Sequence, residues 1–168
     1  MRSLPIALAA SLALVSISTS LQGQGARAGL DPRSAQLLAE GKAARAAGNI
    51  DAAIDAWETA VAVDPRNRAA FVALAEAAET RGLPGKAIRL YREALLLEPN
   101  DVVALAGQGE ALVAKGAVKR AQENLARIRT ICKKACGEAT QLAAAIAKGP
   151  PIATAQATTT PATPANRP

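Results

Sequence analysis

The chain has 168 residues, half of them apolar, with 20 Lys and Arg against 14 Asp and Glu and a single Phe, Trp and Tyr. That length holds one domain plus tails, and the absence of long β-branched runs with period-2 alternation argues against a sheet. With no His anywhere, the usual triads and general bases are unavailable, so no catalytic residues are assigned, no enzyme activity is expected and no metal or other cofactor is implied.

Residues 1–28 read as a leader. Arg2 gives a positive start, Leu4–Ile17 is an uncharged, mostly apolar run of 14 residues, and Ala26-Arg27-Ala28 has the small-x-small form of a signal-peptidase site. The run is too short for a bilayer span, which disfavours an uncleaved membrane anchor. No Cys lies near the cut to accept a lipid, and no second run is long enough to span a membrane. The expected product starts at Gly29, exported to the periplasm or secreted. Removing Arg2 and Arg27 leaves 18 basic against 14 acidic residues, a net charge of +4. That excess is spread along the chain with no basic stripe or interleaved aromatics, so nucleic acid is not an expected partner.

From residue 31 the elements follow a pattern. Asp31-Pro32 opens a helix of about Pro32 to Ala47, since Asp caps well and Pro is tolerated in the first turn. Gly48-Asn49 ends it, and Asp51 is expected to cap a second helix to about Val63, closed by Asp64-Pro65. The next pair spans about Arg68 to Arg81 and Pro84 to Leu97, with Gly82 between and Glu98-Pro99 behind. Asn100-Asp101 caps a third pair, near Asp101–Lys115 and Val118–Ile131, around Gly116. A last helix, Glu138–Lys148, presents Leu142, Ala143 and Ile146 as an apolar face. After Gly149, Pro150-Pro151 stops any helix. The Ala/Thr/Pro-rich tail has one charge, at Arg167, and is expected to be disordered over 149–168 because it cannot bury enough surface to offset the entropy of ordering.

The pattern has a fixed period. Gly48, Ala53, Trp57, Ala60 and Pro65 recur 34 residues later as Gly82, Ala87, Tyr91, Ala94 and Pro99, and again, more weakly, as Gly116, Ala121, Leu125 and Ile128. This stretch resembles the tetratricopeptide repeat family. The family's slots are filled by Leu37, Glu40, Gly41, Ala44, Ala53, Trp57 and Pro65 in the first copy. They hold Phe71, Leu74, Ala75, Ala78, Ala87, Tyr91 and Pro99 in the second, and Leu105, Gln108, Gly109, Leu112, Ala121 and Leu125, with no Pro, in the third. Glu40, Gln108, and Ala44 and Ala78 in the place of the usual Tyr, depart from the pattern. The resemblance implies an all-α, right-handed α-solenoid with repeats at about 34–67, 68–101 and 102–135. The helix at 138–148 would then cover the exposed face of the last repeat, as solenoids require. Trp57, Tyr91, Phe71 and Leu125 are core by position.

The resemblance also implies a concave surface lined by the first helix of each repeat. By phase it holds Leu38, Lys42 and Arg45, then Val72, Glu76 and Glu79, then Ala106, Glu110 and Val113. The charged members of each of the first two repeats are spaced i, i+3 and so face the same way. Lys42 and Arg45 can neutralise Glu76 and Glu79; Glu110 is one repeat further away and is expected to stay unpaired, with Val72 and Val113 supplying apolar contact. The three glutamates could meet a basic or amine-bearing segment of a partner. Leu38 and Lys42 occupy positions where the carboxylate clamp of cochaperone members needs Lys and Asn, so that ligand is not implied.

Cys132 and Cys136 are the only cysteines. In an oxidising compartment two such neighbours form a disulfide, here fixing the turn into the last helix. The other reading is thiol-redox or copper chemistry: Lys133 and Lys134 favour a thiolate, and copper(I) accepts two thiolates. Against it, there is no His, no Met beyond Met1, and no βαβ scaffold. The functional expectation is therefore a non-enzymatic scaffold of the cell envelope that binds a protein or peptide partner in its groove. A thiol or copper-handling protein and a self-associating structural subunit stacking end to end are the alternatives.

Overall fold

The computed structural model describes residues 29–134 and 136–151. The expected leader and the tail from residue 152 lie outside the described residues, as does Ala135. Seven helices are present among the described residues: α1 (Pro32–Ala46), α2 (Ile50–Val63), α3 (Arg68–Thr80), α4 (Pro84–Leu97), α5 (Val102–Ala114), α6 (Val118–Cys132) and α7 (Gly137–Lys148). They pack as pairs, α1 on α2, α3 on α4 and α5 on α6, and the second helix of each pair packs on the first of the next. The result is a helical repeat solenoid. The α7 helix lies on both α5 and α6, where the first helix of a fourth repeat would sit.

The boundaries follow from capping. Asp31 accepts a hydrogen bond from the Arg33 N–H at 2.8 Å, and Pro32 begins α1. Inside each pair the chain reverses through Gly48, Gly82 and Gly116, all left-handed at φ 79°, 67° and 77°, a conformation that costs a side-chain-bearing residue roughly 1–2 kcal/mol. One expected cap is corrected: α2 starts at Ile50, and its cap is Asn49, whose side chain accepts from the Ala52 N–H at 3.2 Å. Asp51 is already inside the first turn, where its charge suits the helix dipole. Asn67 and Asp101 cap α3 and α5 in the same way.

The repeat positions form the core. Ala53, Trp57, Ala60, Ala87, Tyr91, Ala94, Ala121, Leu125 and Ile128 are all buried. Small residues opposite the large ones set the helix spacing. A Cβ built on Gly41 would lie 2.2 Å from Trp57 Nε1, and one on Gly109 would lie 2.6 Å from a Leu142 methyl, so both glycines are sites of close helix approach. The Trp57 indole N–H donates to the Leu38 carbonyl at 3.2 Å, satisfying a buried polar group. Leu142 is fully buried, with Ala143 and Ile146 packed beside it on the α5–α6 core, as the apolar face of α7 requires.

Buried polar side chains stitch the helices of a pair together and tie the start of α3 to α1. Asn67 donates to the Ser34 hydroxyl at 2.8 Å, and Ser34 donates to the Ala60 carbonyl at 2.7 Å. Asn124 donates to the Leu105 carbonyl at 3.0 Å and to Gln108 Oε1 at 3.1 Å. Asp64, 4 % exposed, accepts from the Asp31 N–H at 2.9 Å and from Arg66. The Arg66 side chain holds the Asp64 carboxyl down to about 2, since donors to the charged form favour it.

Candidate functional site

The first helices of the repeats, with α7 as a fourth, line one continuous groove made of three recesses that share walls. The first recess, about 240 Å³, lies among Lys42, Arg45, Trp57, Arg68, Val72, Glu76 and Val103. The central one, about 350 Å³, is walled by Arg45, Glu76, Glu79, Tyr91, Val103, Ala106, Gly107, Glu110, Glu138 and Gln141. The third, about 460 Å³, lies between α5 and α7 against Glu110, Val113, Lys148, Pro150 and Pro151. Arg45, Glu76 and Val103 join the first recess to the second, and Glu110 joins the second to the third.

The groove residues expected from phase are brought together, with changes of role. Arg45 pairs with Glu76, but Glu79 is not neutralised by Lys42 or Arg45. It accepts the Tyr91 hydroxyl at 2.8 Å instead, because Tyr91 reaches from α4 between α3 and α5 with its ring end 2.3 Å from a Cβ placed on Gly107. Lys42 stays exposed at the rim of the first recess. Val72 and Val113 are only 8 % and 4 % exposed; they are core residues whose edges reach the groove, and so offer less apolar contact than expected. Leu38 is half-buried on the Trp57 cluster, and Ala106, 4 % exposed, floors the central recess.

Charge is concentrated in the centre. Four carboxylates, Glu76, Glu79, Glu110 and Glu138, share the recess with one guanidinium, Arg45. Burial pushes the Glu79 carboxyl up to about 7, with the neighbouring Glu110 and Glu76 charges adding to the rise against the pull of the Tyr91 hydrogen bond. Burial, and then the Glu79 charge beside it, raises the Tyr91 hydroxyl well above its usual value. Glu110 is raised mainly by burial, opposed by a hydrogen bond from Gln141. Its Oε1 is buried and has no hydrogen-bond partner among the described residues. Removing a carboxylate oxygen from water without a donor is costly, so a donor arriving from outside would be favoured at that point.

Phase arguments missed Tyr91, Val103, Gly107, Glu138 and Gln141. Val103, 45 % exposed, sits one turn before Ala106 and could have been found by extending the α5 stripe backwards. Glu138 and Gln141 lie on α7, beyond the three repeats over which the phase was read.

At the end of α6, Cys132 and Cys136 face each other with Cα atoms 6.2 Å apart and their sulfurs in bonding contact. Both are half-buried. Among the described residues no group of three or more His, Cys, Asp or Glu could hold a metal ion, and no helix is long and apolar enough to cross a membrane.

The fold is shared with solved repeat domains. The chain is similar to the tetratricopeptide-repeat domain of Sgt2 from Aspergillus fumigatus, with 24% identity over 84% of this chain and 95% of that one and a TM-score of 0.65. It is also similar to the first such domain of Spaghetti (RPAP3) bound to an HSP90 peptide, SRMEEVD, at 22% identity over 69% of this chain and 91% of that one, TM-score 0.64. A third similar structure is an O-GlcNAc transferase from Thermobaculum terrenum, at 24% identity over 68% of this chain and 22% of that one, TM-score 0.62. No curated protein matches the sequence. The tetratricopeptide repeat family model matches residues 38–102, the segment with the two in-phase copies. Residues 38–102 thus match the tetratricopeptide repeat family, and the described helices share the fold of solved tetratricopeptide-repeat domains.

Proposed function

We propose that this protein is a non-enzymatic scaffold that binds an extended segment of a protein partner in its groove, with an amine or guanidinium of that segment in the central recess. The observation that carries this reading is the buried, unpartnered Oε1 of Glu110 beside Glu79, whose carboxyl is raised to about 7 by burial and like charge. A cation placed between them would relieve both. The similar domain of Spaghetti holds an HSP90 peptide that is acidic by its sequence. Here the centre of the groove is itself acidic, so complementarity calls for a segment of opposite sign. Val103 and the edges of Val72 and Val113 would supply apolar contact.

The test is calorimetric titration of the domain with a short, end-blocked lysine-containing peptide. Glu110→Lys weakens binding, with a loss that shrinks as salt rises, and leaves thermal stability nearly unchanged. Arg89→Glu, an exposed charge reversal on α4 outside the groove, leaves affinity as it was. Equal loss from both would mean that the concave face is not the binding site.

In this reading the protein works in the cell envelope after export, supported by the leader-like residues 1–28, and Cys132 and Cys136 are bridged there. N-terminal sequencing of envelope-fraction protein should begin at Gly29, and thiol trapping of freshly isolated protein should find no free thiol. Intact Met1 recovered from the cytosol would refute the export.

A further inference from the structure

We infer that α7 is a redox-sensitive wall of the groove, held in its binding position by the Cys132–Cys136 bond and loosened when a dithiol reductant opens it. The inference rests on the groove reading and on the bridged cysteines proposed above. It starts from how the repeats are closed. After α2 and α4 the chain turns through Asp64-Pro65 and Glu98-Pro99 into helices whose caps, Asn67 and Asp101, hydrogen-bond the first turn with their side chains. After α6 there is no Pro. Lys133 takes the turn at φ 49°, the only left-handed non-glycine among the described residues, and Cys136 at the start of α7 makes no side-chain cap. The entry to α7 thus lacks the local devices that hold α3 and α5. The bond between the ends of the turn stands in their place.

That turn positions groove chemistry. Glu138 is in the first turn of α7 and Gln141 follows one turn later; both wall the central recess, and Gln141 hydrogen-bonds Glu110. At the far end Gly149 leads into Pro150 and Pro151, which wall the third recess. Leu142 is the one fully buried residue of α7, with Ala139, Ala143 and Ile146 only partly buried beside it, so the entry turn carries much of the positioning of the helix.

The bond is open to attack. A recess of about 480 Å³ on the outer side is lined by Arg129, Lys133, Lys134 and Cys136. Three cations there attract an incoming thiolate and stabilise the charge on the departing one. The thiolate of a dithiol attacks Cys136 Sγ, forming a mixed disulfide and releasing Cys132 Sγ as a thiolate that takes up a proton. The second thiol of the reductant then attacks its own sulfur in the mixed disulfide and releases Cys136. The protein gains two electrons and two protons, and the reductant leaves as a disulfide.

Hydrogen exchange on the full chain, before and after reduction with dithiothreitol under anaerobic conditions, tests the switch. Amides of α7 should exchange about tenfold faster after reduction while those of α1 to α4 do not change, as for a local opening unit. The Cys132→Ser/Cys136→Ser protein should show the fast pattern with or without dithiol. The blocked lysine peptide should bind the reduced protein about fivefold more weakly, the scale of one lost charge contact. Unchanged exchange in α7, or acceleration spread evenly over all helices, overturns the switch. Faster α7 exchange with unchanged peptide affinity overturns its link to the groove. If the peptide binds neither form, the groove reading falls, while the exchange data still decide the behaviour of α7.

Discussion

The slot that holds Pro65 in the first repeat and Pro99 in the second holds Lys133 in the third, and the two ends of the molecule differ accordingly. At the first end, α1, α2 and α3 are joined by the fully buried Trp57 and by the chain of hydrogen bonds from Asn67 through Ser34 to Ala60. At the other end α7 rests on Leu142, on the partly buried Ala139, Ala143 and Ile146, and on the turn between Cys132 and Cys136. The groove divides in the same way. Its first half pairs its charges, Arg45 with Glu76 and Arg68 with Asp101, whereas its second half leaves Glu110 with a buried, unpartnered oxygen. A repeat can thus be tightly closed at one end and left less fully paired at the other.

The comparison can be broken most forcefully at its anchors. Trp57→Ala removes a fully buried indole and should cost about 3–5 kcal/mol by denaturant melting. Leu142→Ala should cost about 2–4 kcal/mol and, unlike Trp57→Ala, should concentrate its effect in α7 by hydrogen exchange. Loss of protection throughout the chain would show that α7 is no weaker an element than α1.

The glycines sharpen the same contrast. Gly41→Ala meets the rigid, enclosed Trp57 ring, while Gly109→Ala meets the terminal methyls of Leu142, which can turn aside. Overpacking costs about 1–3 kcal/mol, and Gly41→Ala should fall near the top of that range and Gly109→Ala near the bottom. Equal costs would mean that the two ends are packed alike.

The pH dependence isolates the acidic half. Glu79 titrates near 7 when folded and at the usual carboxylate value when unfolded, so the folded state holds its proton more tightly. Stability is greatest below about pH 4.5 for this group and declines as pH rises toward 7 and beyond. For a partly exposed carboxyl the effect should be about 1 kcal/mol after solvent screening. Glu79→Gln should flatten that limb of the profile. Asp64 works in the opposite sense: its carboxyl is held down to about 2, so its contribution is complete above the ordinary carboxylate range and is lost as pH falls through about 2.

The fold was legible in the sequence because repetition reports itself. Gly48, Gly82 and Gly116, and Trp57 in register with Tyr91, set the helix pairs and their core faces. The groove was legible in outline, since α1, α3 and α5 share one phase and Glu76, Glu79 and Glu110 follow from it. What escaped lies beyond the three repeats or crosses between helices. Tyr91 was correctly a core residue, but its hydroxyl passes Gly107 to reach Glu79, a relation between α4, α5 and α3 that no single helix period encodes. Glu138 and Gln141 were hidden because the groove was traced through three repeats only, whereas α7 adds a fourth wall whose core face, Ala139, Leu142, Ala143 and Ile146, continues the 34-residue spacing. Asn49 overtook Asp51 as a cap because both can cap and α2 begins two residues earlier than Asp51 would start it.

The central claim, that the acidic half of the groove receives a cation, is tested most directly by the proton balance of binding. At pH 7 a carboxyl titrating near 7 is about half protonated, and a cation seated beside it favours the charged form. Titration calorimetry with the blocked lysine peptide, run at pH 7 in two buffers of different ionisation enthalpy, should show release of about half a proton per peptide bound. Glu79→Gln should abolish the release. Binding of the peptide with no proton release, and with the same balance in Glu79→Gln, would contradict the account.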